Sequence, residues 1–425
     1  MAERVELRPG DRVALLVPGS AQYVDLVIDL LAARVVPVPL DPRLTAAERD
    51  GLLADLEPRL VVDTPELVTS MLEGTPDRFR RALPRCRPMH VTSGTTGRPK
   101  GVWSGLLDDA QAQGLVDEER ELWGFCASDV NLVLSPLHHS APLRFAIGTR
   151  LAGGRVVVPG PFDPVSTTRA IVAEQPTTLF CVPTHLQRLF AHWDEVGVPD
   201  LSSFRLVAHA GAACPPAVKH RLVKLFPPDS TWEFYGSTEG QFTACRSEEW
   251  LERPGTVGRA RPGRALLLDE DGTIWCTVPE HARFTYWNAA EKTAAAWRKT
   301  SNGPAFTVGD LGRMDDDGYL YLEGRREDLV ISGGVNVYPV EVENTLRRHP
   351  AVEDVAVFAV ADDQWGQRVC AAVVGDVDHE ELRALTREQL APAKRPKEYF
   401  RLGNLPVTAT GKVRRLDLPG LLNLE

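Results

Sequence analysis

Short apolar runs alternate with stretches of helical periodicity along the first part of the chain. Val13–Val17 reads as a buried strand, and across Gln22–Arg34 the residues Val24, Val27, Leu30 and Leu31 recur at helical spacing. Val35–Leu40 and Leu60–Val62 read as two further strands. The pattern resumes at Val130–Leu134, Arg155–Val158, Thr178–Val182 and Arg205–Ala208, buried strands separated by helical stretches such as Val165–Glu174. Strand–helix–strand order predicts parallel sheets, because parallel neighbours need a crossover and a helix supplies it. From Thr256 to Tyr321 the texture changes to Gly- and Asp-rich turns between short strands, which predicts a small β-rich subdomain. A charged stretch, Gly324–Asp328, then leads into a terminal α+β segment. The expected architecture is α/β: a large N-terminal domain of parallel-type sheets with flanking helices over residues 1–326, then a small, mobile α+β domain over residues 327–425.

Composition narrows this picture. Hydrophobic residues at 43% and charged residues at 25% are those of a soluble globular protein. A net charge of -10 argues against a nucleic-acid groove, which wants a basic face. No apolar run approaches a membrane span, and Met1–Arg12 is charged and has no apolar core of a signal peptide. The seven cysteines are scattered without a C-x-x-C pair, so reduced thiols in a cytoplasm are expected.

The sharpest chemical signal is Thr92-Ser93-Gly94-Thr95-Thr96-Gly97-Arg98-Pro99-Lys100-Gly101. Glycines let backbone N–H groups approach closely, hydroxyls donate hydrogen bonds and the lysine adds charge, so the run suits a loop wrapped around phosphate oxygens. It lacks the spacing of a Walker loop, and the chain has no G-x-G dinucleotide fingerprint and no G-x-S-x-G hydrolase elbow. The bland alternative for the run, read alone, is a flexible polar turn. Further along stand Tyr235-Gly236-Ser237-Thr238-Glu239, Gly309-Asp310, Gly324-Arg325, Ile331-Ser332-Gly333-Gly334-Val335-Asn336 and Thr408-Ala409-Thr410-Gly411-Lys412.

In this order the motifs resemble the adenylate-forming superfamily of acyl- and aryl-CoA synthetases, nonribosomal peptide adenylation domains and firefly luciferase, from about Gly10 to Arg415. The resemblance implies ATP-dependent activation of a carboxylic acid to an acyl-adenylate, then transfer to a thiol, most simply that of CoA. It implies that Thr92, Ser93, Gly94, Thr95, Thr96, Gly97 and Lys100 hold the phosphates. Tyr235, beside Gly236, would stack on adenine, and Glu233 would accept from its exocyclic amine. The family often has an amide at that last position. Gly211, Ala212 and Ala213 would wall the base and the acid, Thr238 would touch the α-phosphate, and Glu239 would ligate Mg²⁺ as a hard oxygen donor. Asp310 would accept from the ribose hydroxyls with Arg325 near the same sugar. Lys412 would bridge the two anions that meet when a carboxylate attacks a phosphate. Gly333 and Gly334 would line the CoA tunnel, and Glu327 would be the hinge, where the family usually has Asp or Lys. The family normally has more chain before Gly10 and between Val62 and the phosphate loop.

His138-His139 invites a zinc reading, but adjacent side chains are expected to diverge and no third ligand stands at suitable spacing. The resemblance makes His139 the aromatic gate beside the acyl pocket; a plain core histidine is the bland alternative. The stretch around it offers no carboxylate for a substrate ammonium, so an α-amino acid is disfavoured. Leu206–Pro215 looks most like bacterial fatty- and aryl-acid CoA ligases. The alternatives are an acyl-adenylate passed to a carrier-protein thiol or an amine, another oxyanion as substrate, or a non-catalytic nucleotide-binding relative.

Overall fold

The computed structural model describes residues 6–73, 83–92, 100–325, 328–332, 335–362, 365–407 and 413–424, the side chains of Arg325 and Asn336 excepted. Internal contacts divide the chain into two compact units, residues 1–266 with 276–306, and residues 267–275 with 307–425.

In the first unit a small parallel sheet carries Arg12–Leu15 between Val36–Pro39 and Leu60–Val62. The helix Ala21–Ala32 starts where the Ser20 hydroxyl accepts from the Tyr23 N–H at 3.0 Å, and it buries Val24, Val27, Leu30 and Leu31 as its period demands. The larger sheet has seven strands. Thr231–Glu233, Leu206–His209, Thr178–Cys181, Val130–Val133 and Arg155–Val157 run parallel in that spatial order, and the antiparallel strands Thr243–Arg246 and Arg259–Ala260 extend the first edge. Four helices, Ser140–Leu151, Pro164–Glu174, Pro183–Val196 and Pro216–Leu225, follow its strands. Fully buried Phe145, Trp193 and Phe204 fill the space between sheet and helices, each worth roughly 1.5–3 kcal/mol by area. The strand ends differ from the sequence expectation by one or two residues, as frayed ends do.

A third sheet is antiparallel, with Lys100–Trp103 between Val91–Thr92 and Thr285–Tyr286. In the second unit Asp310–Met314 and Leu320–Arg325 form a hairpin. A mixed five-stranded sheet centred on Gly366–Val374 is covered by the helices Pro339–Leu346 and His379–Gln389 over an aliphatic core that includes Val342, Leu346 and Leu382. Among the described residues no helix is long and apolar enough to cross a membrane.

Candidate functional site

The motif at 235–239 folds into a tight hairpin at the end of the parallel sheet. Gly236 bridges Gln241, Ser237 N–H donates to the Gly240 carbonyl at 2.8 Å, and Phe242 N–H donates to the Tyr235 carbonyl at 2.9 Å. Thr238 and Glu239 therefore occupy the tip. Gly240 is closely packed, because a Cβ there would lie 2.7 Å from the Phe306 ring and force it to shift. Phe242 also covers one face of Tyr235, with ring centroids 4.6 Å apart and planes tilted by 27°.

Glu239 is buried, and its Oε1 accepts from the Tyr286 hydroxyl at 2.8 Å. Among the described residues no cation pairs with it, and the Tyr286 hydroxyl orients it. That suits a Mg²⁺ ligand, since this ion takes one or two carboxylates and completes its shell with water and substrate oxygens. Tyr286 belongs to the third sheet, paired with Val102, while Thr92 pairs with Lys100 across the same sheet. The two ends of the phosphate loop are thus cross-strand neighbours, and one hydrogen bond ties their sheet to Glu239. Ser93, Gly94, Thr95, Thr96 and Gly97 lie outside the described residues. Lys100 lines a polar hollow with Asp55, Glu57 and Asn288.

His139 stands at the N-terminus of the helix Ser140–Leu151. Contrary to the expectation of divergence, the His138 and His139 rings lie 4.2 Å apart. The chain turns tightly here, His139 N–H donating to the Pro136 carbonyl at 3.1 Å, and the turn brings successive side chains to one side. Burial pushes His139 down to about 4, with His138 adding to the effect, so its ring is neutral at pH 7. Buried His90 contacts the His138 carbonyl through Nδ1 at 3.0 Å and is pushed down to about 3 by burial.

Gly211, Ala212 and Ala213 form an exposed loop just beyond the strand Leu206–His209, and Gly211 takes a positive φ of 93° that disfavours any side chain. Glu233 has company that the sequence reading missed. Lys219, fully buried, places Nζ 2.7 Å from His209 Nε2 and 3.2 Å from Glu233 Oε2. Burial raises the Glu233 carboxyl against the pull of Lys219. The signal was present: Lys219 shares a helical stripe with Leu222 and Phe226, where a lysine needs a partner.

A cavity of ≈ 180 Å³ opens in the first unit beside these elements. Its lining includes His90, Ser140, Leu143, Arg144, Gly240 and Gln241, so it borders both the His139 turn and the Glu239 hairpin.

In the second unit Asp310 is buried and pairs in register with Arg325 across its hairpin, so these two predicted ribose contacts are cross-strand neighbours. The Arg325 side chain, Glu327, Gly333, Gly334 and Lys412 lie outside the described residues. The flanks of the last two motifs are fixed, with Ser332 paired to Val335 and Val407 bridged to Val413.

Comparison with known proteins decides the family. The AMP-binding enzyme family matches residues 89–279, and the AMP-binding enzyme C-terminal domain matches residues 341–412. A feruloyl-CoA synthase from an Amycolatopsis species is 34% identical over 452 residues, covering 96% of this chain and 88% of that protein. The chain belongs to the AMP-binding enzymes. Within them it falls in the acyl- and aryl-CoA synthetase branch, whose members join an acid to CoA through an acyl-adenylate. Two solved structures extend the likeness. The amide bond synthetase McbA of Marinactinospora thermotolerans superposes with a TM-score of 0.84 at 26% identity, covering 98% of this chain and 91% of that one. The o-succinylbenzoate CoA synthetase of Bacillus subtilis, seen with its acyl-adenylate intermediate, superposes with a TM-score of 0.80 at 27% identity, covering 97% and 88%. For an AMP-binding enzyme the Thr238–Glu239 tip, the Thr92–Lys100 pair and the Asp310–Arg325 pair stand in the motifs expected to meet the nucleotide.

Proposed function

We propose that this AMP-binding enzyme activates an aryl or short acyl carboxylic acid held in the cavity beside the Glu239 hairpin. The observation carrying this reading is that the cavity is lined both by Gly240 and Gln241, directly after Glu239, and by Ser140, directly after His139. In this reading one carboxylate oxygen attacks the α-phosphorus of ATP and pyrophosphate leaves. Tyr235 stacks on adenine, and Thr238 donates to the α-phosphate. Asp310 and Arg325 take the ribose. Glu239 would hold Mg²⁺, which would supply positive charge against the phosphates. Lys412 neutralises the meeting anions, and Glu327 is the pivot of a rotation that withdraws Lys412 and brings Gly333 and Gly334 toward the CoA thiol. Neutral His139 closes the acyl side without placing a charge beside the new mixed anhydride. The domain limits 1–326 and 327–425 belong to this proposal, as does a cytoplasmic location, which suits the free cysteines.

The test mixes enzyme, ATP, Mg²⁺ and a panel of aryl and aliphatic acids and follows pyrophosphate, then repeats it with CoA, a carrier-protein thiol or an amine. Pyrophosphate release with aryl or short acyl acids and thioester with CoA are expected. Lys412→Ala should lose adenylation yet still transfer acyl groups from synthetic acyl-adenylate to CoA. Equal loss of both steps in a folded variant would remove the two-state cycle. Asp310→Ala should weaken ATP binding, read by calorimetry, and unchanged affinity would take Asp310 out of the site.

A further inference from the structure

The same cavity has a charged wall that the adenylation chemistry leaves unexplained. The helix Asp109–Trp123 contributes Glu118 and Glu119, side chains 10% and 12% exposed, and four arginines gather around them. Arg261, wholly buried, reaches Glu118 at 3.2 Å and Glu119 at 3.0 Å. Arg264 reaches Glu118 at 2.6 Å, and His281 contacts it at 2.8 Å. Arg144 lies 3.2 Å from Glu119, and Arg87 donates to the Ala282 carbonyl at 3.4 Å. Among the described residues four guanidiniums therefore face two carboxylates. Buried charge without a counter-ion is costly, and such an excess is retained where something else supplies the missing anion.

The atoms left over point to where that anion goes. Arg144 Nε is the atom that lies 3.2 Å from Glu119, without hydrogen-bond geometry, while Nη2 is buried with no hydrogen-bond partner, and Arg144 lines the cavity. The guanidinium lies 5.3 Å above the Phe234 ring, which holds it in place without satisfying its donors. Gln241, on the same cavity wall, has a buried side-chain oxygen without a partner, and an amide flip would present its N–H₂ to an anion instead. Arg144 stands five residues into the helix that begins beside His139, about 7.5 Å along its axis. An acid whose reacting carboxylate lies near the Thr238–Glu239 tip would reach it with a second group at the far end. A cavity of ≈ 180 Å³ suits such a body; roughly 150 Å³ holds a benzene ring.

We propose that the acid is one with a second carboxylate, a short diacid or a carboxyl-bearing aryl acid, whose non-reacting carboxylate is bound by Arg144 with help from Gln241. The inference rests on the acid-activating reading above and names its substrate class. The second carboxylate keeps all its bonds through the reaction and acts only by charge and hydrogen bonding. Acids without it leave the guanidinium donors unpaired and are rejected for that reason.

The experiment compares matched pairs, each diacid against its monomethyl half-ester, in pyrophosphate release with wild type, Arg144→Met and Arg144→Lys. Wild type should favour at least one diacid by on the order of 100-fold in kcat/KM, chiefly through KM. Arg144→Met should collapse that ratio and Arg144→Lys should restore part of it. A second measurement, calorimetric titration of wild type with AMP and either member of the pair, does not depend on the variants folding. Inorganic phosphate and acetate are added to half-ester assays in a further arm. If either free anion raised half-ester turnover to the diacid level, the anion would not be substrate-borne and the assignment would fall. Half-esters used as readily as diacids, or a preference untouched in Arg144→Met, would overturn this inference alone. No pyrophosphate with any acid would overturn the acid-activating reading with it.

Discussion

In the second unit Arg415 spends all three guanidinium nitrogens on carboxylates. Nε and Nη2 reach Glu343 at 3.2 and 2.8 Å, and Nη1 reaches Asp328 at 3.1 Å. Glu343 is 2% exposed and also accepts from the Val357 backbone N–H at 2.8 Å. In the first unit the cluster around Glu118 and Glu119 leaves nitrogens of Arg144, Arg261 and Arg264 without hydrogen bonds. Both clusters are at least partly buried and both join distant parts of the chain. At Arg415 every guanidinium nitrogen is hydrogen-bonded to a carboxylate, whereas the Arg144 cluster lines a cavity and is open toward it. A buried ion group that serves only the fold is driven to satisfaction; one that awaits a ligand is not.

That contrast fails if the two clusters respond alike to losing an arginine. Arg415→Met should cost about 3–5 kcal/mol, because it strands two carboxylates. Arg347, 3.7 Å from Glu343, recovers part of this. Urea unfolding of the full chain measures the loss, and a change under about 1 kcal/mol would break the comparison.

Acid should reveal the open side next. Folded His90 and His139 resist protonation until about 3 and about 4, while unfolded imidazoles charge near their ordinary value. Between those limits the unfolded chain binds more protons, so their contribution is complete above roughly pH 6.5 and is lost as pH falls toward 4, on the order of 6 kcal/mol in sum. Burial would raise Glu118, but His281 and the nearby arginines overrule it and hold it down to about 2. Its contribution therefore fades only below its ordinary carboxylate range. A melting temperature that is flat from pH 6.5 to 4.5 would contradict this order, and His90→Gln should flatten the slope.

Tyr286→Phe should lower pyrophosphate release about tenfold and raise the Mg²⁺ required, since a hydrogen bond to a charged group is worth about 1.5–3 kcal/mol. An unchanged Mg²⁺ titration would show that Glu239 needs no orienting partner. The smallest effect should be Arg144→Met on stability, about 1 kcal/mol or less, because Glu119 keeps Arg261 as its partner when Arg144 is removed. A large destabilisation there would mean the open cluster is structural after all.

The sequence pattern was legible wherever the information was local. The parallel strands, the helix over Ala21–Ala32 and the hairpin motif at Tyr235 each lie within one contiguous run, so period and motif report them. Asp310 and Arg325, assigned by resemblance to the same sugar, are paired across a hairpin in the structure. What stayed hidden is long-range. Tyr286 reaches Glu239 across 47 residues, and Arg261 reaches Glu119 across 142. No periodicity connects such positions, and an arginine in a charged stretch looks like solvated surface until the fold buries it. Lys219 is the intermediate case, marked by its helical stripe and readable only once the stripe is drawn.

The split of the second unit has a practical consequence for cutting and recombining this chain. The polypeptide passes between units at 266/267, 275/276 and 306/307. The short excursion 267–275 is stitched to the later segment, Thr273 bridging Leu311 and Gly312 N–H donating to the Gly272 carbonyl at 2.9 Å. A fragment ending at 306 would therefore carry a turn cut off from Leu311 and Gly312, and a fragment beginning at 307 would lack it. Swapping terminal domains between relatives across a single junction there would import the same mismatch. Compatible exchange needs a graft of two segments from one parent, or a junction placed beyond the stitched hairpin.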